Sequence, residues 1–354
     1  MKGVVMMEID KNSLGFQILQ NAFRFLVNVG FVFVFQMIFG MENTLVGVAI
    51  GVGFTMLPMC NLDLKPMTMF LIIVLLYGGS GLIGQVTLIN PWLAFIGNFL
   101  FVSLIILLSN EPLHSKPNIS FLLCFVFAQS TVVKWEQFPM RMMACVIGGL
   151  FVGGCVLWRW HSHHYGGDIG FKEQILRCQK NRSYLLRMSF GIALAMLIGS
   201  LLQLRKPLWI SIVVMSLTQL EFSETLERIK HRFIGTLIGV VLFFIFFQVL
   251  IPQKYAIWVV MLLGYVGFFL PDYKYKQVIN AVSALNASLV ILDTMTAIET
   301  RILCLTAGIL IVLMIYLMTK LIRKLHIKSM DLLKNQIDQF FLNMETKKIG
   351  RAHV

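Results

Sequence analysis

The stretch MTMFLIIVLLYGGSGLIGQVTLINPWLAFIGNFLFVSLIILLSN, residues 67–110, decides the fold class, because its 44 residues include no Asp, Glu, Lys or Arg. One helix needs roughly 20 apolar residues to cross the hydrocarbon of a bilayer, so this stretch is too long for one crossing. It contains Gly78-Gly79-Ser80-Gly81 and Asn90-Pro91, which we expect to break it into two helices. The alternative for the glycines is that they kink a helix or let it pack closely against another. The sequence therefore predicts an integral membrane protein with two consecutive spans in this region.

Ten further stretches of the chain are also free of these four residue types. They are residues 25–41, 43–62, 117–133, 142–158, 188–204, 207–220, 233–253, 255–271, 277–292 and 302–319. Residues 207–220 are the shortest, and a segment of about 14 residues fits either a short span or a re-entrant segment. Together the stretches predict an all-α integral membrane protein with about twelve transmembrane helices.

The overall composition agrees with a membrane protein. Hydrophobic residues make up 58% and charged residues 13% of the chain, and the mean hydropathy is +0.80. Soluble domains carry about 25% charged residues. The formal net charge is +13, but the basic residues lie in short clusters between apolar runs and not on one soluble face. We therefore expect a lipid bilayer, and no nucleic acid, as the partner of this charge.

The placement of Lys and Arg predicts the orientation. If the N-terminus lies inside, the inner loops and tails hold all but six of the 30 basic residues; the six outer ones are Lys134, Arg141, Arg205, Lys206, Lys254 and Arg301. The positive-inside rule thus predicts a multi-pass protein of the inner (cytoplasmic) membrane, N-in and C-in. Five tryptophans lie near predicted helix ends, as in an interfacial belt: Trp92, Trp135, Trp158, Trp160 and Trp209.

The most basic connection divides the chain into two runs of six predicted helices. We expect a first membrane half at residues 1–158, a basic cytoplasmic linker at 159–186 and a second membrane half at 187–319. An amphipathic cytoplasmic helix is expected at 320–348, where apolar residues alternate with basic ones. Residues 349–354 match what a common sequencing adapter would encode, so we expect a non-native tail there.

The two halves correspond weakly in sequence. Arg141 stands seven positions before Gly148, and Arg301 stands at the same spacing before Gly308; each pair opens the last helix of its half. An even number of spans in each half leaves the halves in the same orientation. The sequence therefore predicts parallel repeats about an axis along the membrane normal, with a substrate path between them.

The most distinctive motif is TLERIKHRFIGTLIG, residues 225–239. Arg228 and Arg232 are four residues apart and share one face of a helix. Gly235 and Gly239, with Thr236 between them, form a face of small residues that lets another helix approach closely. A guanidinium suits a carboxylate because it donates two parallel hydrogen bonds. The motif predicts either an anion-attracting inner gate or a positive cluster that only fixes topology.

These residues also carry a resemblance to a known family. Arg187 at a helix start, Pro207-Leu208-Trp209 opening the next helix, and T-x-x-R-x-x-x-R-x-x-G-T-x-x-G at 225–239 resemble the fusaric acid resistance/aromatic acid exporter (FUSC-like) superfamily. The resemblance covers residues 187–319, whereas the first-half loop at 60–66 lacks both arginines and the Gly-Thr pair. It implies efflux of organic anions, often aromatic carboxylates, driven by the proton gradient. Plant anion channels of the aluminium-activated malate type are distant relatives of this superfamily.

A route for a substrate follows from these positions. We expect an organic anion to bind at Arg228 and Arg232 at the inner side and to leave between the halves past Arg141 and Arg301, with Trp209 as a further contact. The alternative for the two outer arginines is that their side chains only extend to the membrane interface.

Proton coupling needs a carboxylate whose pKa is raised at the edge of a low-dielectric cavity. Glu221 and Glu224 follow the short stretch 207–220 and are the candidates. Glu221 is the better one, because a short span would draw it towards the membrane. The alternative for both is a solvated loop acid paired with a nearby basic residue.

We therefore expect a secondary-active, proton-coupled exporter of organic, including aromatic, carboxylic acids. An anion channel or uniporter of the same architecture, and the membrane module of a cell-envelope assembly with a periplasmic adaptor, remain open, as does a homo-oligomer. The spans hold no paired catalytic acids and no nucleophile motif, so we expect no enzyme. The histidine-rich stretch at 160–165 has only Asp168 as a further nearby ligand, so we expect no metal and no cofactor.

Overall fold

The computed structural model describes residues 14–86, 90–112, 115–163, 167–252, 255–270, 272–289 and 291–351, with side chains in the last segment up to residue 325. Within these residues the secondary structure is helical apart from one isolated bridge between Leu64 and Ile169. The helices are α1 (Leu14–Phe39), α2 (Thr44–Met56), α3 (Pro66–Val86), α4 (Pro91–Ser109), α5 (Asn118–Ser130), α6 (Phe138–His163), α7 (Phe171–Gln179), α8 (Arg182–Leu201), α9 (Leu208–Leu217), α10 (Phe222–Phe244), α11 (Ala256–Val266), α12 (Tyr273–Ser288) and α13 (Thr294–Arg351).

Eight helical segments in the described part of the chain are long and apolar enough to cross a membrane. They are Gly15–Phe39, Met41–Met59, Pro66–Gln85, Pro91–Ser109, Trp135–Ser162, Arg182–Leu201, Phe222–Phe247 and Thr294–Leu325. This finding confirms an all-α, multi-pass membrane protein. Within these helices the backbone N–H and C=O groups form hydrogen bonds with one another, as a span in lipid requires.

The remaining predicted stretches form shorter helices. Asn118–Ser130, Leu208–Leu217 and Ala256–Phe269 are apolar but have fewer than 18 residues, and α12 has 16. Each of the twelve predicted stretches therefore overlaps one helix, but only eight helices reach the length of a span. The count of twelve crossings and the two parallel repeats remain predictions.

Helix α9 is the shortest of these segments, with ten residues and therefore a length of about 15 Å. It starts beside the end of α8, where a Cβ on Gly199 would lie 2.5 Å from the Pro207 Cβ. It ends beside the start of α8, where Arg187 Nη2 lies 3.1 Å from the Gln219 carbonyl oxygen. Helix α9 therefore runs antiparallel beside α8, and a short span and a re-entrant segment both remain predictions for it.

The predicted break at Gly78-Gly79-Ser80-Gly81 is wrong, because α3 continues through these residues to Val86. The glycines serve close packing: a Cβ on Gly79 would lie 2.7 Å from the Phe101 ring of α4, and one on Gly81 would lie 2.9 Å from Cys145 Sγ of α6. Helix α4 begins at the second predicted site, where the Asn90 side chain accepts a hydrogen bond from the Trp92 amide at 2.8 Å.

The loops that connect the helices form two groups, one at each end of the bundle, and loops of the same group contact each other. At the end that we predict to be inner, Arg177 forms an ion pair with Asp63 at 3.3 Å, and Lys116 Nζ donates to Gln219 Oε1 at 2.9 Å. At the opposite end, Gln137 Nε2 donates to Glu42 Oε1 at 3.2 Å. The connections predicted for one side therefore meet one another, as alternating spans require.

Two predicted segments differ in form from what the sequence suggested. The linker at 159–186 contains the helix α7, which is tied to the end of α4 by a hydrogen bond from Gln174 Nε2 to the Leu108 carbonyl at 3.2 Å. The structure has no boundary at residue 320, because α13 continues to Arg351 as one helix of 58 residues, about 87 Å long. Residues 352–354 of the predicted tail lie outside the described residues.

The buried side chains form two apolar clusters. The larger one joins α1–α6 with α8, α9 and α13, and the smaller one lies among α10, α11, α12 and the start of α13. Gly235 and Gly239 bring α10 against α12: their Cβ atoms would lie 2.8 Å from Gln277 Cβ and 2.6 Å from Ala281 Cβ. Thr236 between them is buried. This contact holds the arginine-bearing end of α10 at a fixed distance from α12.

Replacing Gly239 by valine should therefore destabilise the protein. The new side chain would meet Ala281 and the Val278 carbonyl, where a Cβ alone already lies at 3.0 Å from the oxygen. We expect a loss of about 1–3 kcal/mol, measured as a lower temperature of aggregation for the protein purified in detergent. Gly154→Val is the matched control, since nothing lies within 4 Å of a Cβ there. Equal stability of the two variants would contradict the packing role.

Candidate functional site

Helix α9 is the centre of the candidate site. Pro207 precedes its first turn and Thr218 ends it with an extended backbone, so the apolar sequence LWISIVVMSL forms one short helix. Seven of its residues are buried: Trp209, Ile210, Ser211, Val213, Val214, Met215 and Leu217. Four arginines from three other helices reach its two ends: Arg187 of α8, Arg228 and Arg232 of α10, and Arg301 of α13.

Arg228 and Arg232 lie at the inner end of α9, on one side of α10. Arg228 Nη1 donates to the Ser216 carbonyl at 3.2 Å, and its guanidinium lies 4.8 Å from the centre of the Tyr273 ring. Arg232 Nη1 donates to Ser216 Oγ and lies 3.5 Å from Tyr273 Oη. Arg232 is 4% exposed, and its Nε is buried without a hydrogen-bond partner in the described structure. The two arginines thus keep unused donors beside Ser216.

Arg187 closes the same end from α8. Its Nη2 donates to the carbonyls of Gln219 and Leu220 at 3.1 and 2.7 Å, and its guanidinium lies 4.4 Å from the centre of the Tyr316 ring. Tyr316 Oη donates to the Gln219 carbonyl and accepts from Thr225 Oγ1 at 2.9 Å. This network joins α8, α9, α10 and α13, and it seals the inner end of α9.

Tyr316 and Lys116 are among the residues of this end that were not predicted as site residues. Tyr316 lies within the last apolar run and has no local signal in the sequence. Lys116 comes from the first half, and burial lowers the pKa of its ammonium, with the positive charge of Arg228 adding to this effect and Glu224 opposing it. The proximity of Lys116 and Arg228 means that the first half contributes a cation to the site.

Arg301 lies at the outer end of α9. Its guanidinium stands 4.9 Å from the centre of the Trp209 ring, which is a cation–π contact. Arg301 is 5% exposed, and in the described structure it forms no hydrogen bond or ion pair with another side chain or with the backbone. Trp209 is also buried, so its assignment to an interfacial belt is wrong, whereas Trp92, Trp135 and Trp158 are exposed as that belt requires.

Arg141, at the corresponding position of the first half, has a different environment. It is 1% exposed, and all three of its nitrogens donate hydrogen bonds. Nε donates to Asn43 Oδ1, Nη1 to the Ala128 carbonyl at 2.8 Å, and Nη2 to the carbonyls of Glu42 and Thr131 at 2.8 and 3.1 Å. Because Arg141 and Arg301 are both buried in the protein, the alternative that they extend to the membrane interface does not hold.

The charge around α9 is one-sided. Within the described residues the ion pairs are Arg177–Asp63 and Lys274–Asp272, so none of the four arginines is paired with a described carboxylate. Arg232 lies close enough to Arg301 for the two positive charges to act on each other. A buried cation without an acidic partner is costly in a low-dielectric interior. The arrangement therefore favours the binding of an anion.

The candidate proton carriers lie at the inner mouth of this region. Glu221 and Glu224 are exposed, at the cap and in the first turn of α10. Glu221 lines a cavity of about 500 Å³, together with Arg187, Phe222, Tyr316 and Lys320. Neither glutamate contacts an arginine of the site. Among the described residues no group of three or more His, Cys, Asp or Glu is placed to hold a metal; residues 164–166 of the histidine-rich stretch lie outside them.

Arg141 and Arg301 offer a direct test of these two environments. We expect Arg141→Met to destabilise the protein by about 3 kcal/mol, because the acceptors that surround the guanidinium lose their donors. That loss corresponds to a fall of roughly 5–10 °C in the melting temperature in detergent. Arg301→Met should leave the melting temperature unchanged or raise it, because it removes a buried charge that has no partner in the protein. Equal destabilisation by both changes would show that Arg301 is held by the fold.

Comparison with known proteins bears on the second half of the chain. Residues 194–315 match the family described as "Fusaric acid resistance protein-like". A search of curated proteins and a search of solved structures gave no match. The matched segment includes α9, the arginines of α10 and Arg301. Over this segment the chain is similar to that family, and the match confirms the resemblance that the sequence motif predicted.

Proposed function

We propose that this protein exports organic carboxylates, aromatic ones among them, from the cytoplasm across the inner membrane, and that the anion passes along α9. The observation that carries this proposal is the set of four arginines around α9 without a described carboxylate partner. A carboxylate in transit would supply the missing negative charge, and it would accept paired hydrogen bonds from the free guanidinium donors. The family match supports a transport role in the membrane, of the efflux type.

The proposed path differs from the one that the sequence suggested. Each of the three nitrogens of Arg141 already donates a hydrogen bond within the first half, and the side chain is 1% exposed, so we leave Arg141 out of the path. The route therefore lies within the second half. It begins at the cavity beside Arg187, continues to Arg228 and Arg232 beside Ser216, and ends at Arg301 beside Trp209.

Aromatic rings accompany the arginines along this route. Arg187 lies against Tyr316, Arg228 against Tyr273, and Arg301 against Trp209. An aryl carboxylate presents a flat apolar face and an anionic edge, and a ring paired with a guanidinium matches both. This pairing supports aromatic acids as the substrate class. Passage requires that the contacts of Arg187 and Tyr316 with Gln219 open transiently, so we assign the inner gate to these contacts.

Coupling to the proton gradient rests on Glu221 in this proposal. It lines the same cavity as Arg187, at the point where the substrate would enter, whereas Glu224 does not line it. Both glutamates are exposed and neither forms an ion pair in the described structure, which instead favours the alternative of an anion channel or uniporter. The two mechanisms use the same arginines and differ in the response to a pH gradient.

The role of Arg232 can be tested in cells. Arg232→Ala removes the donor that contacts Ser216 and Tyr273, and we expect efflux of a labelled hydroxybenzoate to fall at least about tenfold, since loss of one partner of a buried charged contact costs about 2–5 kcal/mol. Efflux is measured as the decline of the label in preloaded cells of a deletion strain. Arg182→Ala is the control, because this arginine is exposed at the start of α8. Unchanged efflux at equal membrane expression would exclude Arg232 from the path of the anion.

The mechanism can be tested in liposomes that contain the purified protein. We expect a pH gradient to drive accumulation of the labelled acid, and a protonophore to abolish it. Glu221→Gln should lose this accumulation but keep downhill exchange of the anion, while Glu227→Gln, an exposed acid of the same helix, should behave as the native protein. An anion current that is independent of the pH gradient would replace the exporter by the channel.

A further inference from the structure

A second large cavity lies in the first half of the protein, apart from α9. It has a volume of about 640 Å³ and is enclosed by α1, α2 and α6, with Phe268 after α11 as the contribution of the second half. Its walls are mainly apolar and include Val32, Val48, Val52 and Phe54. None of its lining residues belongs to the proposed path of the anion.

Two arginines line one end of this cavity. Arg24 lies in the third turn of α1 and Arg159 near the end of α6. Arg159 Nε is buried without a hydrogen-bond partner in the described structure, and no Asp or Glu lines the cavity. The end that holds the two guanidinium groups therefore attracts an anionic group, while the rest of the cavity favours a hydrocarbon chain.

The cavity opens sideways towards the lipid. Its rim includes Met59 and Trp158, which are 64% and 75% exposed, and such exposed apolar side chains are stable where they face the bilayer. The span Gly15–Phe39 forms one wall, and only 11% of its apolar 18-residue window is buried inside the protein. The arginines stand at the end of the bundle that we predict to be inner, at the level of the lipid headgroups.

We propose that an anionic phospholipid of the inner leaflet occupies this cavity, with its phosphate at Arg24 and Arg159 and one acyl chain along Val52 and Phe54. A soluble carboxylate would use only the charged end, and it would leave the long apolar wall and the lateral opening unexplained. Basic pockets between membrane helices on the cytoplasmic side recognise lipid headgroups through the same chemistry. This inference is independent of the proposed transport function.

The bound lipid would also fasten α1 to the second half. Helix α1 meets α11 and the following turn through Phe25, whose ring centre lies 6.0 Å from that of Tyr265 and 6.2 Å from that of Phe268. Phe268 lines the cavity from the other side. A lipid that fills the space between Arg24, Arg159 and Phe268 therefore completes a contact that the protein alone leaves partly open.

Native mass spectrometry of the detergent-purified protein tests the proposal. The protein is incubated with equal amounts of dioleoyl phosphatidylglycerol and dioleoyl phosphatidylcholine, and the lipid retained on each chain is measured. We expect the native protein to retain one phosphatidylglycerol, with a preference of about tenfold or more over phosphatidylcholine, because each of the two arginines near the headgroup contributes about fivefold. The double variant Arg24→Gln/Arg159→Gln should lose this preference.

Two further variants separate charge, cavity and folding. Val52→Trp keeps both arginines but fills the cavity, so it should also lose the bound phosphatidylglycerol. This variant tests the proposal independently if the double variant does not fold. Lys172→Gln/Arg182→Gln removes two exposed basic residues outside the cavity and should retain the lipid as the native protein does.

Three results would overturn the proposal. The first is equal retention of both lipids by the native protein, and the second is retention of phosphatidylglycerol by the Val52→Trp protein. The third is displacement of the lipid from the native protein by millimolar benzoate, which would assign Arg24 and Arg159 to a soluble anion. None of these results depends on whether Arg232 carries transport, so failure here is distinguishable from failure of the proposed function.

Discussion

A guanidinium buried inside a membrane bundle needs acceptors, and the two halves of this protein meet that need in different ways. Arg141 is surrounded by a side-chain amide and three backbone carbonyls, which accept hydrogen bonds from its guanidinium within the fold. Arg301, at the matching position of the second half, faces the Trp209 ring and forms no hydrogen bond in the described structure. Because burying an unpaired charge costs free energy, the environment of Arg301 destabilises the folded protein unless a bound anion pairs with the guanidinium.

This contrast fits the sequence. Both halves have an arginine seven positions before a glycine, whereas the arginine-glycine motif at 225–239 belongs to the second half. The first half uses its buried arginine to join the turn before α2 to the end of α5, which is a task of packing. The second half places Arg232 and Arg301 at opposite ends of α9 and leaves donors free. The first half is nevertheless more than a scaffold, since Lys116 reaches Gln219 at the inner end of α9.

The sequence was sufficient for features that depend on local composition, and insufficient for those that depend on contacts between distant segments. Charge-free runs locate every major helix, and the spacing of Arg228 and Arg232 places both on one side of α10. The glycines at 78–81 were expected to end a helix, yet in lipid the close packing of neighbouring helices outweighs the low helix propensity of glycine. The partners of Arg141 come from residues 42–43 and 128–131, so no local pattern could distinguish it from Arg301.

The length of α9 connects these observations to transport. Its ten residues cover about 15 Å, roughly half the thickness of the hydrocarbon, so α9 is too short for both of its ends to reach the membrane surfaces. Arginines that reach those ends are therefore closer together than arginines at the ends of a full span would be. In the path that we propose, a carboxylate that leaves Arg232 would have a short distance to travel to Arg301, which would lower the energetic barrier of the low-dielectric step. A short interior helix flanked by longer ones thus provides a physical reason for locating the anion path in the second half.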